Sequence, residues 1–410
     1  MVNGVERLGA RGWGMTPLPY GRQLIEDDDV EAVVAALRSD FLAHGPMATK
    51  FEAAFAEMAG AKEGVVCASG TAALHLALAG LDVGPGDLCV VPAITFLSTA
   101  TAALLCGAEV AFADVDPVSG LMTPETLAAA MAGRTVKAVL PVHLGGRIAD
   151  MAGLSLVARA AGAAIVEDAC HAVGGVDAYG HPVGACISSD AACYSFHPVK
   201  TLAAGEGGMN TLNDPERAAR LRRLRNHGVT HDPTLMSERD SLDTDGVRKP
   251  WIYEQVELGF NYRTDEMSAA LGLSQLGKLG RFVARRTALA DLYDAALAPL
   301  ALAIHPVPRG EGKPALHLYQ VLVDFEALGV PREAVMRRLS AAGIATQVHY
   351  IPLYRQPYFK ARYGEMRLAG AEAFYARVLA LPLYPAMTDA DVARVVEALA
   401  ELIPAAARAG

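Results

Sequence analysis

The 410-residue chain contains no run of lysine or arginine, and charged residues make up only 20% of it, with a formal net charge of −9. With no basic stripe to meet a phosphate backbone, nucleic acid is not expected as a partner. The opening stretch MVNGVERLGARGWGMTPLPYG lacks the apolar core of a secretory signal. None of the six cysteines (Cys67, Cys89, Cys106, Cys170, Cys186, Cys193) belongs to a C-x-x-C pair, and most lie in apolar segments. Buried free thiols in a reducing cytoplasm are therefore expected, not a metal site or a disulfide framework. Internal repeats and low-complexity tails are also missing. One uncharged run, LCVVPAITFLSTATAALLCGA (88–108), is long enough to span a bilayer. Pro92 interrupts it, and Thr95, Ser98, Thr99 and Thr101 punctuate its second half. It reads as a buried strand, a polar turn and a buried helix, so no membrane partner is expected.

What is present is apolar bulk: 52% of the residues are hydrophobic, ample for a large core. From about residue 64 strands and helices alternate. EGVVCAS (63–69), LCVVPAI, EVAFADV (109–115), VKAVLPVH (136–143), AAIVEDA (163–169), AACYSFH (191–197) and GGMNTL (207–212) read as strands. Their runs are continuously apolar, as in a sheet covered by helices on both faces, which predicts an α/β fold with a mostly parallel sheet. Thr123 and Pro124 read as the cap and first residue of a helix. The polar stretch 230–250 is either a loop over an active site or a surface insertion. Residues 265–297 predict one long helix. A smaller α+β segment follows, with strands at 317–325 and 346–350 and helices at 332–343 and 389–403.

Four motifs carry chemistry once a sheet is assumed. Ser69, Gly70 and Thr71 lie where a strand turns into a helix, a natural anion site, although any such turn can use glycine and threonine. Asp168 falls at the carboxyl end of an apolar strand, where open α/β sheets place ligands; the plain alternative is a cap. Lys200 is framed by Ser195, His197 and a glycine-rich turn in SFHPVKTLAAGEGG (195–208). Asn261 and Arg263 come just before the predicted long helix. A carboxylate for a cationic ring nitrogen, a lysine able to form an imine and a phosphate cradle are the needs of pyridoxal phosphate (PLP). In that reading Asp168 keeps the pyridine nitrogen protonated and Lys200 holds the aldehyde as a Schiff base. Once released, Lys200 serves as a general base. Gly70, Thr71, Ala72 and Ser195 hold the phosphate.

The order S-G-T, E-D-A-C-H, S-F-H-P-V-K with its E-G-G, then G-F-N-Y-R resembles the DegT/StrS group of PLP-dependent sugar aminotransferases, from about Pro19 to the end of the chain. The resemblance implies the aspartate aminotransferase-like fold (fold type I). It divides the chain into an N-terminal arm (1–20), a large PLP-binding domain (21–280) and a small C-terminal domain (281–410). PYGRQLIEDDDVEAVVAALRSDFLAHGP (19–46), YSFHPVK (194–200) and QVHYIPLYRQPY (347–358) are similar to one subgroup. That subgroup forms the C4 amine of a pseudaminic acid precursor from a UDP-linked 4-keto-6-deoxy-2-acetamido hexose, with glutamate as donor.

The stretch PVHLGGRIADM (141–151) departs from the subgroup, and His143 is similar to other C4 sugar aminotransferases. That leaves open a different nucleotide-linked keto-sugar of the bacillosamine, perosamine or aminoarabinose type.

The resemblance also implies roles for other residues. Phe96 stacks on the cofactor ring, and His171 sits beside the cofactor or substrate. Asn261 completes the phosphate site of the neighbouring subunit, which implies a homodimer with shared sites. His197, Arg263 and Tyr319 are substrate contacts. Each has a plain competitor: Phe96 as core, the histidines as structural, and Arg263 as the partner of Asp265 or Glu266. A PLP-dependent sugar dehydratase would replace the lysine by histidine, and a non-catalytic PLP-binding regulator would need a DNA-binding element; neither matches this chain.

Overall fold

The computed structural model describes residues 17–237 and 243–402. Most of the expected N-terminal arm, residues 1–16, and the tail of the last expected helix, from 403, lie outside the described residues, as do 238–242 in the polar stretch. Seven strands form the main sheet: β1 (Glu63–Cys67), β2 (Leu88–Pro92), β3 (Glu109–Ala113), β4 (Ala138–Val139), β5 (Ala164–Asp168), β6 (Ala191–Ser195) and β7 (Gly208–Leu212). Their spatial order is β1-β7-β6-β5-β4-β2-β3. From β6 through β5, β4 and β2 to β3 all pairings are parallel. β7 runs against both of its neighbours, β1 and β6. Six strands therefore share one direction, and their carboxyl ends lie along a single edge.

The apolar runs explain why this sheet forms a middle layer. Neighbours along a strand face opposite sides. Val65 and Val91 enter one buried cluster, while Val66 and Val90 enter others across the sheet. β4 is shorter than the predicted strand, because Pro141 has no N–H to continue the ladder. Its carbonyl accepts from the Asp168 amide at 2.8 Å, and Val142 rejoins Asp168 only as a single bridge.

β8 (Val229–Thr230) and β9 (Glu254–Gln255) pair antiparallel across the polar stretch. β10 (Ile304–Pro306), β11 (Tyr319–Val323) and β12 (Val378–Leu381) make a second, antiparallel sheet. Behind it Tyr293, Val321, Leu379 and Val395 form a separate buried cluster. The strand expected at 346–350 is reduced to one bridge, Gln347 to Ala380.

The single helix expected over 265–297 is two, Glu266–Leu276 and Leu279–Leu297. Gly277 caps the first in an ordinary right-handed conformation, and the turn falls at Lys278. Lys278, at the break, is drawn to Asp28 (2.5 Å) and Asp29 (2.8 Å) in the Asp27–Leu37 helix. The uncharged 88–108 run folds as expected into β2, a turn and the Leu97–Leu105 helix. Among the described residues no helix is long and apolar enough to cross a membrane.

Candidate active site

Gly70, Thr71, Phe96, Asp168, His171, Ser195 and Lys200, among the predicted site residues, gather at the carboxyl edge of the six parallel strands. β1 runs into Ser69, whose hydroxyl caps the Gly70–Ala79 helix by accepting from the Ala72 amide at 3.1 Å. Ala72 is thus engaged within the turn, and the amides of Gly70 and Thr71, ahead of the first intrahelical bonds, are left for an anion. Gly70 is required by close approach: a Cβ there would meet Ser195 Cβ at 2.7 Å and Cys170 Sγ at 3.3 Å. Ser195 ends β6 directly opposite Gly208 of β7.

The frame around Lys200 is a long hairpin connection. Phe196, fully buried, donates to Gly207 O (2.9 Å) and accepts from the Ala204 amide (2.9 Å), clamping both ends of the loop. Within it the Lys200 amide donates to His197 O at 2.8 Å. The Lys200 ammonium forms no ion pair among the described residues. Burial lowers its pKa below the ordinary lysine value, opposed by the neighbouring Cys170 and Asp168. His197 is exposed beside it.

Asp168 closes β5 and is buried. Its Oδ1 accepts from the Cys170 amide (3.2 Å) and its Oδ2 from the Thr99 hydroxyl (2.7 Å). Phe96 caps the helix that carries Thr99 and is 51% exposed. The plain reading of Phe96 as core is therefore excluded, and about half of the residue is left open at the sheet edge.

His171 has both ring nitrogens occupied. Nδ1 accepts from the Gly145 amide (3.2 Å), so in the neutral ring the proton sits on Nε2, 3.3 Å from the Tyr350 hydroxyl. Burial holds His171 well below the usual histidine pKa, with the charges of Lys200, His349 and Arg147 adding to it. Nε2–H therefore donates to Tyr350, whose own proton remains for another acceptor. Tyr350 also lies 5.9 Å from Phe96, ring to ring.

Other expectations are redrawn. Tyr319 is not brought to this cluster: it stacks on Tyr293 and donates to Asp294 Oδ1 at 2.6 Å. Alternation along β11 sends its neighbour Gln320 instead towards the His171 region, where Nε2 donates to His349 O at 3.0 Å. Arg263 pairs with neither Asp265 nor Glu266; its guanidinium donates to Asn226 Oδ1 at 2.7 Å. Asn226 is bridged in turn to the exposed Asn261. His143 is fully buried, with Nδ1 accepting from the Ala149 amide (3.1 Å) and Nε2 on Glu167 (3.0 Å). It is a structural histidine and says nothing about the sugar. Sequence reasoning missed Thr99, Tyr350 and Gln320. The only signal was chemical, hydroxyls and an amide inside apolar runs.

These residues fit PLP: an anion-receptive helix start, a glycine cradle under Ser195, an oriented carboxylate, a half-exposed aromatic ring and a lysine with no counter-ion among the described residues. The DegT/DnrJ/EryC1/StrS aminotransferase family matches residues 23–400. The chain belongs to that family. It is 38% identical over 392 residues to the spore coat polysaccharide biosynthesis protein SpsC of Bacillus subtilis (strain 168), covering 95% of this chain and 98% of that protein. It is similar to the structure of PseC from Helicobacter pylori, an aminotransferase involved in the biosynthesis of pseudoaminic acid (TM-score 0.85, 25% identity, 95% of this chain and 99% of that one). It is also similar to Spr1654 of Streptococcus pneumoniae in its PLP-form (TM-score 0.83, 27% identity, 95% of this chain and 100% of that one).

As a member of the DegT family the chain is a PLP-dependent sugar aminotransferase of fold type I. PLP, when bound, supplies an aldehyde that exchanges amines and a ring that withdraws electrons from the reacting carbon.

Proposed function

We propose that this enzyme transfers the amino group of glutamate to C4 of a UDP-linked 4-keto-6-deoxy-2-acetamido hexose. The observation that carries the transfer chemistry is that Lys200, buried, depressed in pKa and without an ion pair among the described residues, shares one sheet edge with Asp168, whose two oxygens are both oriented. Lys200 binds the cofactor and moves the proton at the reacting carbon. Asp168 meets the ring nitrogen, Phe96 packs on the ring, and Gly70, Thr71 and Ser195 take the phosphate. Tyr350, polarised by His171, donates into the cleft, while His197 and Arg263 border it. The likeness to PseC supports the pseudaminic precursor as substrate.

A second reading, another nucleotide-linked keto-sugar, is favoured by the likeness to SpsC, a spore coat polysaccharide biosynthesis protein. In either case a homodimer is proposed, with Asn261 of the partner subunit completing each phosphate site. The exposed Trp251 and Leu258, 72% and 81% accessible, support a covering subunit there. The six free cysteines support a reducing, cytoplasmic setting.

An absorbance titration of the PLP-loaded enzyme tests the reading. Glutamate is expected to bleach the visible band of bound PLP, and the UDP-4-keto-6-deoxy-2-acetamido-L-hexose to restore it. Bleaching that this sugar does not reverse would reject the pseudaminic substrate in favour of the second reading.

A further inference from the structure

We propose that Thr99 is a positioning residue for Asp168, with Thr95 as the donor behind it. The inference rests on the reading of Asp168 as the partner of the cofactor's ring nitrogen. Thr99 Oγ1 donates to Asp168 Oδ2 at 2.7 Å. A threonine hydroxyl has one proton. With that proton committed, the 2.8 Å contact between Thr95 and Thr99 has Thr95 as its donor. The order Thr95 to Thr99 to Asp168 gives the short chain one polarity.

The three residues are 2%, 0% and 4% exposed, so bulk water does not replace a lost member. The Asp168 backbone is fixed separately, by Pro141 O at 2.8 Å and the His143 amide at 3.1 Å. What remains free is rotation of the carboxylate. The Cys170 amide holds one oxygen and Thr99 the other.

The Thr99 amide also donates to Phe96 O at 3.3 Å, within the first turn of the Leu97–Leu105 helix. One helical turn therefore sets both the carboxylate assigned to the ring nitrogen and the aromatic side chain assigned to the ring face. Valine would fill the same space as Thr99 without a donor, which separates its hydrogen bond from its packing.

The experiment measures dissociation constants of the PLP-free protein for PLP and for its 1-deaza analogue, in which CH replaces the ring nitrogen. Their ratio isolates the contact at that atom. The wild type is expected to prefer PLP, and Asp168→Asn to lose the preference. Thr99→Val is expected to cut it about tenfold, the scale of a hydrogen bond to a charged group. Its affinity for the deaza analogue should stay within roughly twofold, as for a substitution that disturbs nothing else. Thr99→Ser is expected to restore the ratio. Equal weakening of both ligands by Thr99→Val would reduce Thr99 to packing and overturn the inference. A ratio that survives Asp168→Asn removes the Asp168 reading itself, and the Thr99 inference with it. Should Thr99→Val not fold, Thr95→Val carries the test: a smaller fall in the ratio is expected, and an unchanged ratio overturns the chain.

Discussion

Lys200 shows what a single side chain gains from its surroundings. Burial favours the neutral amine, while Asp168 and Cys170 pull the other way. The neutral amine is the form that attacks the PLP aldehyde. The association rate of PLP with the PLP-free enzyme should therefore rise with pH along a limb whose midpoint lies below 10.5, the ordinary lysine value. Below that midpoint the folded lysine is protonated at a cost, so its contribution to stability recovers as pH climbs towards 10.5. In Asp168→Asn the supporting negative charge is gone, and the midpoint should move lower still. Stopped-flow absorbance across pH measures both, and a limb at or above the ordinary value would contradict the desolvated setting.

At this scale the sequence was informative about where Lys200 and Asp168 lie, at the ends of neighbouring apolar strands on one edge of the sheet. It was uninformative where direction matters. Tyr319 and Gln320 are adjacent, and only the parity of β11 decides which one approaches His171. His143 and Thr99 were equally opaque, since a buried polar group looks the same in a sequence whether it supports a loop or a carboxylate.

Between strand and helix, the decisive contact is backbone against backbone. Gly208 opens β7 opposite Ser195, and a Cβ there would lie 2.2 Å from Ser69 O. No flexible side chain can yield, so Gly208→Ala must push the Ser69–Gly70 turn out of place. The expected loss of stability is about 2 kcal/mol, typical of overpacking. A thermal melt reads that loss. Equilibrium dialysis should show PLP affinity falling by roughly tenfold, equivalent to about 1.4 kcal/mol. Unchanged affinity would mean that the turn is not the phosphate site.

Element existence was legible from the apolar runs, but element ends were not. Pro141 cut the β4 ladder, and Gly277 with Lys278 split a helix whose pattern reads as continuous. In the second case the deciding partners, Asp28 and Asp29, lie some 250 positions earlier in the chain.

For the whole molecule the question is whether one chain makes one site. Asn261 is exposed, and the loop that presents it is fixed by the Asn226–Arg263 pair. If it serves the partner subunit, a mixed dimer of Lys200→Ala and Asn261→Asp gathers both defects in one site and leaves the other intact. Each variant alone should be nearly inactive. Refolding them together in equal amounts should recover about a quarter of wild-type activity, because half the dimers are mixed and each has one intact site. No recovery in verified mixed dimers would place both residues in the same subunit's site. The sheet and its covering helices could be read from composition and order alone, whereas a partner role for Asn261 came only from the family resemblance and not from this chain's own pattern.

The reversed strand β7 has a consequence for the reaction itself. It returns the chain alongside β6, so the segment bearing Lys200 is a span anchored at both banks: Phe196 grips Gly207 on one side and Ala204 on the other. A span held this way cannot carry its lysine around the ligand. Only the side chain can swing, through a narrow arc that always begins from the same quarter. If Lys200 delivers the proton, as proposed, it does so from the side this span fixes, and an amine of the opposite hand would require the sugar, not the lysine, to turn over.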